Sequence, residues 1–444
     1  MAIMKKTAIA LGAALALCVA LPAQAQEKDQ FVSLLSYRVG PYGNNGISLF
    51  GGWIDYMKLV NAKGGVNGVM LSWEECETEY NNARGVECYE RLKTKSAAKG
   101  TLIHPVSTGI SYSVLEKTQT DKVPLVMIGY GRTDAKVGAY FPYAFPLVTT
   151  YQMQASAMLK FMAIRDKGTG TADLKGKKVA FVYHDSAYGK EPFAVFEAYA
   201  KQYGFELIKL AVPHPGNEQQ SQWLQIRQAK PDYVILWGWG VMNAVALKTA
   251  QRNGYPSGKI LGVWWAGSEE DVIPAGSAAN GYTTMTFKTP GNYPLLDEIK
   301  KKVYAAGKGN LEDKSRIGST YHMRGVTAAI LWTEAVRKAQ EKYGKGKVLT
   351  SELVRWGFEN LNVDEARLKA LGAFGMMPPV KTTCLDHEGS GAVKVQRWDG
   401  KSWKAVTPNW VVGDKAMIRK MQEESAAKYA TEKKITPRDC SKEG

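Results

Sequence analysis

Apolar and polar positions along the chain alternate between two periods, one of strands and one of helices. Phe31–Tyr37 is an apolar run of strand length. Ile47, Phe50, Ile54 and Met57 then recur at helical spacing until Gly64-Gly65 stops the pattern. Val69–Trp73 predicts the next strand, a helix runs through Val86 and Leu92, and Thr101–Pro105 and Val123–Ile128 predict two more strands. After Phe145-Pro-Leu-Val-Thr-Thr150 the pattern restarts with a helix through Met153, Ala157 and Phe161. Strands from Val179, over Phe205–Leu210, Asp232–Trp237 and Lys259–Trp265, then alternate with helices over Phe193–Tyr203, Ser221–Ala229 and through Lys248. Such alternation predicts an α/β fold of parallel sheets with helices on both faces. Gly281–Phe287 reads as a crossing back to the first half, where the helix of Tyr321–Ala339 covers a sheet. Ala392–Trp398, Asp399-Gly400 and Trp403–Val406 predict a hairpin, and a polar helical tail ends the chain.

Two units echo each other. Phe31 to Gly43 and Val179 to Gly189 each run from a strand through polar residues to Tyr-Gly ahead of a helix, placing Tyr42 and Tyr188 in strand-end loops. Open α/β sheets bind ligands at such loops. The pattern predicts two lobes that clamp a small molecule.

The first 25 residues form a separate segment. Lys5-Lys6, the apolar run Thr7 to Leu21 and Ala23-Gln-Ala25 read as a secretory signal cleaved after Ala25, so the mature chain is expected to be exported. Leu17 before Cys18 lacks the small residue that a lipoprotein signal places there. The net charge of +16 raises the question of nucleic acid. Lysines sit in short clusters such as Lys175-Gly-Lys-Lys178 rather than in a basic stripe interleaved with aromatics, so a solvated basic surface is the reading. Cys76, Cys88, Cys384 and Cys440 survive processing and allow three disulfide connectivities; Cys76–Cys88 and Cys384–Cys440 are favoured. No Cys-x-x-Cys occurs and the histidines are scattered, which leaves no metal signature and implies no cofactor.

Phosphate-loop, Gly-x-Ser-x-Gly and His-Glu-x-x-His signatures are absent, and Gly129-Tyr-Gly131 lacks the third glycine of a dinucleotide fingerprint. The order of Gly40-Pro-Tyr-Gly43, Asn61-Ala-Lys-Gly-Gly-Val-Asn-Gly68, Val106-Ser-Thr-Gly109, His184-Asp-Ser-Ala-Tyr-Gly189 and Gln251-Arg-Asn-Gly-Tyr255 resembles the type I periplasmic solute-binding proteins of ABC transporters. The likeness is to their leucine/isoleucine/valine-binding branch. It implies two Rossmann-like lobes joined by a three-crossing hinge, with residues 26–146 plus 286–375 in one lobe and 147–285 plus 376–444 in the other.

The resemblance also implies a cleft. Ser107-Thr108 and Tyr130–Thr133 match loops that hold a ligand carboxylate, with Arg132 as a charged donor; Ser107 and Thr133 also suit helix capping. From the second lobe, Tyr188 and the loop of Trp237 and Trp239 face the ligand. Amino-acid binders of this branch present an acidic residue near the end of the Lys259–Trp265 strand. Here Trp265 stands in that region, and Glu269-Glu270-Asp271 after Ser268 resemble a cap and first helical turn. A buried ammonium without a carboxylate is costly, which disfavours an α-amino acid. The expected protein is a monomeric, non-enzymatic receptor that delivers a carboxylate with an apolar or aromatic body, or an amino-acid-like solute, to a permease in the inner membrane. A branched-chain or aromatic amino-acid binder, a sensory binding protein and an exported enzyme are the alternatives.

Overall fold

The structure, a computed structural model, describes residues 28–96, 100–165 and 168–442. The expected signal segment and Cys18 lie outside the described residues. In the first sheet β1 (Asp29–Ser36) pairs in parallel with β2 (Met70–Glu77), Asp29 opposite Met70 and Ser36 opposite Glu77. On the other side of β1, Thr101 donates its backbone N–H to Phe31 O, and Ile103 makes a parallel bridge to Leu125. β3 (Leu125–Val126) then pairs in parallel with β4 (Ala144–Phe145). The strands expected over Thr101–Pro105 and Val123–Ile128 thus shrink to a bridge and a two-residue strand. Pro105 and Pro124 have no N–H to give, and Val106 turns to a positive φ of 48°.

The second sheet is longer and more regular. β5 (Lys178–His184) lies between β6 (Glu206–Val212) and β7 (Tyr233–Trp237), and β8 (Ile260–Gly262) and β9 (Thr283–Thr286) extend it in parallel. Two corrections arise here. β8 stops at Gly262 and Trp264–Ala266 wind into a 3-10 turn, which swings Trp265 out of the strand. Gly281–Phe287 first contributes β9 to this sheet before the chain crosses. After the small antiparallel pair β10 (Asn362–Val363) and β11 (Val380–Lys381), β12 (Ala392–Trp398) closes the sheet edge. It runs antiparallel to β9, to β13 (Trp403–Ala405) and to β14 (Val411–Val412). The Asp399-Gly400 hairpin pairs Trp398 with Trp403, as its sequence predicts. The chain therefore passes three times between the two sheets: after β4, after β9 and before β12.

The first sheet is covered by two long helices, Gly43–Ala62 and Thr320–Tyr343, which cross with their backbones in contact. A Cβ on Gly52 would stand 1.8 Å from His322 O, and one on Gly325 would stand 1.8 Å from Leu49 O. Any side chain at either position forces the helices apart, because a packed interior has no room to yield. Disulfides join Cys76 to Cys88 and Cys384 to Cys440, with Cα atoms 5.6 Å apart in each. The first fastens the end of β2 to the helix Asn82–Leu92 and so closes the loop that carries Tyr80.

Candidate functional site

The loops at the ends of the strands of both sheets converge on one cavity. Tyr80 reaches it from the loop after β2, Val106 and Thr108 from the segment after the Ile103 bridge, and Tyr130 from the loop after β3. Tyr151 comes from the start of the helix Tyr151–Arg165, and Tyr188, Trp239 and Trp265 follow β5, β7 and β8. The cavity is narrow, with about 10 Å³ of free space between its walls. That is room for about one water, so the aromatic walls must part for anything larger to enter.

The backbone is strained where it meets this cavity. Tyr80 and Val106 adopt φ of 61° and 48°, in the left-handed region that non-glycine residues avoid. Such outliers persist where the surroundings over-determine them. Here the Cys76–Cys88 bridge encloses the Tyr80 loop, and Val106 is gripped on both polar groups. Its N–H donates to Tyr130 Oη at 2.9 Å and its carbonyl accepts from Tyr37 Oη at 3.3 Å.

Two of the four lining tyrosine hydroxyls donate to backbone carbonyls. Tyr188 donates to Gly238 O at 3.0 Å and Tyr130 to Val126 O at 3.1 Å. Trp265 Nε1 donates to Gly129 O at 3.0 Å. Trp239 is the exception: its indole N–H is buried and has no partner, and its ring meets that of Trp265 edge-on at 5.5 Å. Among the described residues, no charged side chain lines the cavity.

Of the residues expected in the cleft, the structure brings together Thr108, Tyr130, Tyr188, Trp239 and Trp265. Ser107 caps the helix Thr108–Asp121 through its hydroxyl, which accepts from Ile110 N, and stands beside the wall. Tyr42 forms a layer behind it. Its ring stacks on Trp239 at 6.1 Å, and its hydroxyl bonds His184 Nε2 at 2.7 Å and also meets His214 Nδ1.

Three expected residues are elsewhere. Trp237 is fully buried in the core against Tyr151 and Phe181, because it is still part of β7. Arg132 and Thr133 face a separate groove. Asp134 takes one edge of the Arg132 guanidinium, Nε at 2.6 Å and one Nη at 2.9 Å, and Tyr429 of the C-terminal helix lies under it at 4.0 Å. Thr133 N–H donates to Glu191 in the same groove. Glu269 is likewise engaged outside the cavity, accepting from Thr320 N at 2.8 Å, while Ser268 and Asp271 form a capping box.

Tyr80, Val106 and Tyr151 were missed by sequence reasoning. The rule that strand-end aromatics face the cleft, already applied to Tyr42 and Tyr188, would have found Tyr80 just after β2. Val106 and Tyr151 carry no comparable signal.

This geometry agrees with the relatives. The family model described as "Periplasmic binding protein" matches residues 30–402. A solved structure described as an ABC transporter permease from the Pseudomonas fluorescens group is 44% identical, with a TM-score of 0.86 over 93% of this chain and 99% of its own. A branched-chain amino acid ABC transporter protein from Thermus thermophilus, solved with bound valine, is 24% identical, with a TM-score of 0.73 over 89% of this chain and 99% of its own. The Leu/Ile/Val-binding protein homolog 7 of Brucella suis biovar 1 is 26% identical over 67% of this chain and 76% of its own length. Two α/β sheets, three crossings and a cavity at the strand ends therefore have one explanation: the chain belongs to the periplasmic binding protein family, whose members bind solutes for ABC transporters without enzymatic chemistry.

Proposed function

We propose that this protein is the periplasmic receptor of an ABC importer, and that its solute is a small organic molecule with an apolar or aromatic body and a carboxylate or similar acceptor. The solute binds in the ring-lined cavity between lobes of residues 26–146 plus 286–375 and 147–285 plus 376–444. The exported chain, freed of its first 25 residues, acts as a monomer, and its closed form is read by the permease in the inner membrane. The observation that carries this reading is the wall itself: six aromatic rings, one buried indole N–H with no partner on Trp239, and no charged side chain. Rings supply apolar surface, and the free N–H requires an acceptor on the solute.

A branched-chain amino acid is the second reading, favoured by the likeness to Leu/Ile/Val-binding homologues. Against it stands the engagement of Glu269 with Thr320 and of Asp271 with Ser268, which leaves no carboxylate at the wall for an ammonium. Calorimetry with leucine and with 4-methylpentanoate, its counterpart without the amino group, separates the two. The proposal expects 4-methylpentanoate to bind at least as tightly. Leucine binding that is tight and lost in Glu269→Gln would establish the amino-acid reading instead.

A further inference from the structure

Behind the cavity wall lies a cation that the protein leaves without a hydrogen bond. Arg324, on the helix Thr320–Tyr343, is 3% exposed, and neither Nε nor either Nη of its guanidinium has a partner. The guanidinium rests on Trp265, which lines the cavity, and on Phe287, at 4.8 Å from each ring centre. None of its carboxyl neighbours is hydrogen-bonded to it. Asp271 accepts from Asn243, Ser268 and Tyr321, Glu269 accepts from Thr320 N, and Glu270 accepts from Ser48 and Ser319 through Oε1, while its Oε2 bonds neither Arg324 nor any other group. They act on Arg324 through space without bonding it. Lys288, next to Phe287 and also 3% exposed, adds a second buried cation whose ammonium burial pushes down to about 8.

A guanidinium does not shed its proton as a lysine does, so burial without an acceptor leaves several N–H donors desolvated. Dispersion and cation–π contact with rings offset this only in part, because the ring faces accept no conventional hydrogen bond. Arg324 is also long and unanchored, whereas Trp265 is fixed by its bond to Gly129 O. When the wall parts for a solute, Arg324 is the side chain free to follow an acceptor.

We infer that Arg324, backed by Lys288, is the anion anchor of this site, so that the solute is an organic carboxylate held at the Trp265–Phe287 wall with its apolar body among the rings. This rests on the reading of the ring-lined cavity as the solute site. A bidentate arginine–carboxylate pair meets the unfilled donors and supplies the charge selectivity that the uncharged wall lacks.

The test uses the mature protein with acetate, 3-methylbutanoate and benzoate, each beside its own amide, in calorimetry and thermal-shift titrations. The expected result is that acids which bind do so at least 30-fold more tightly than their amides. Arg324→Met should bring that ratio within threefold of one, Arg324→Lys should retain part of it, and ligand-free Arg324→Met should unfold no earlier than the wild type, since a buried unbonded charge has gone. Amides that match their acids, a ratio untouched by Arg324→Met, no response to any acid, or an Arg324→Met protein that unfolds well below the wild type would each overturn the anchor. Trp239→Ala, run alongside, separates the two levels. If it abolishes binding while Arg324→Met leaves the ratio intact, the cavity reading stands and the anchor fails. If it is silent while Arg324→Met removes the ratio, the cavity reading fails.

Discussion

Two recesses lie where strand-end loops from both sheets meet, and they are built on opposite plans. In the groove around Arg132 the charged groups find one another: Asp134 holds the guanidinium through Nε and one Nη, Ser425 bonds Asp134, and Glu191 accepts from Tyr112 Oη and from the N–H of Thr133, while Gln152 Oε1 stays buried without a partner. In the ring-lined cavity the hydroxyls of Tyr188 and Tyr130 are turned back to the backbone, the wall is uncharged, and the Trp239 N–H is left unpaired. A recess whose charges are paired with one another holds parts of the protein together. One that leaves a buried donor open is suited to receive a partner from outside, because leaving such a donor unmade costs about 1–3 kcal/mol.

The contrast breaks most visibly at Trp239. Replacing it with alanine should weaken solute binding by about 2–3 kcal/mol, the scale of a buried aromatic anchor in a well-packed site. Arg132→Ala should change affinity by less than about threefold, since its guanidinium is spent on Asp134; calorimetry on both variants checks the pair. Next in size, Asp134→Ala leaves the largely buried Arg132 without its carboxylate and should lower folding stability by about 2 kcal/mol in denaturant unfolding, with little effect on affinity.

The third test concerns pH. Burial pushes the carboxyl of Asp271 from its ordinary 3.8 up to about 7, against the hydrogen bonds from Asn243, Tyr321 and Ser268 that lower it. The folded form thus holds this proton more tightly than the unfolded chain. Its contribution is fully present below about pH 4 and is lost as pH rises through about 7. Asp271→Asn should flatten that part of the stability profile between pH 4 and 7. Solute affinity that also fell more than threefold would move Asp271 into the binding site and blur the contrast. Smallest of all, Ser107→Ala should cost about 1 kcal/mol of stability from the lost cap, and less in binding, since Thr108 and not Ser107 is at the wall.

The sequence was most legible where one force dominated. The run Val179 to His184 is apolar on both faces, so it is a central strand whatever its neighbours, and Asp399-Gly400 dictates its own hairpin. It was least legible where short-range competition decided the outcome. Nothing in the order of residues announces that Asp134 will capture Arg132, or that β7 will run one residue too far to free Trp237. The two tryptophans are separated only by Gly238, yet one is core and the other wall. Pro105, Pro124 and the left-handed Val106 broke strands whose apolar pattern looked complete, because periodicity reports burial and is silent on missing N–H donors.

The most direct test of the account is a crystal structure of the protein purified with its natural solute from the periplasm. Solute density is expected among Trp239, Trp265 and Tyr188, with an acceptor atom within about 3.2 Å of Trp239 Nε1. Density beside Arg132 and Glu191, with the aromatic cavity still closed, would contradict it.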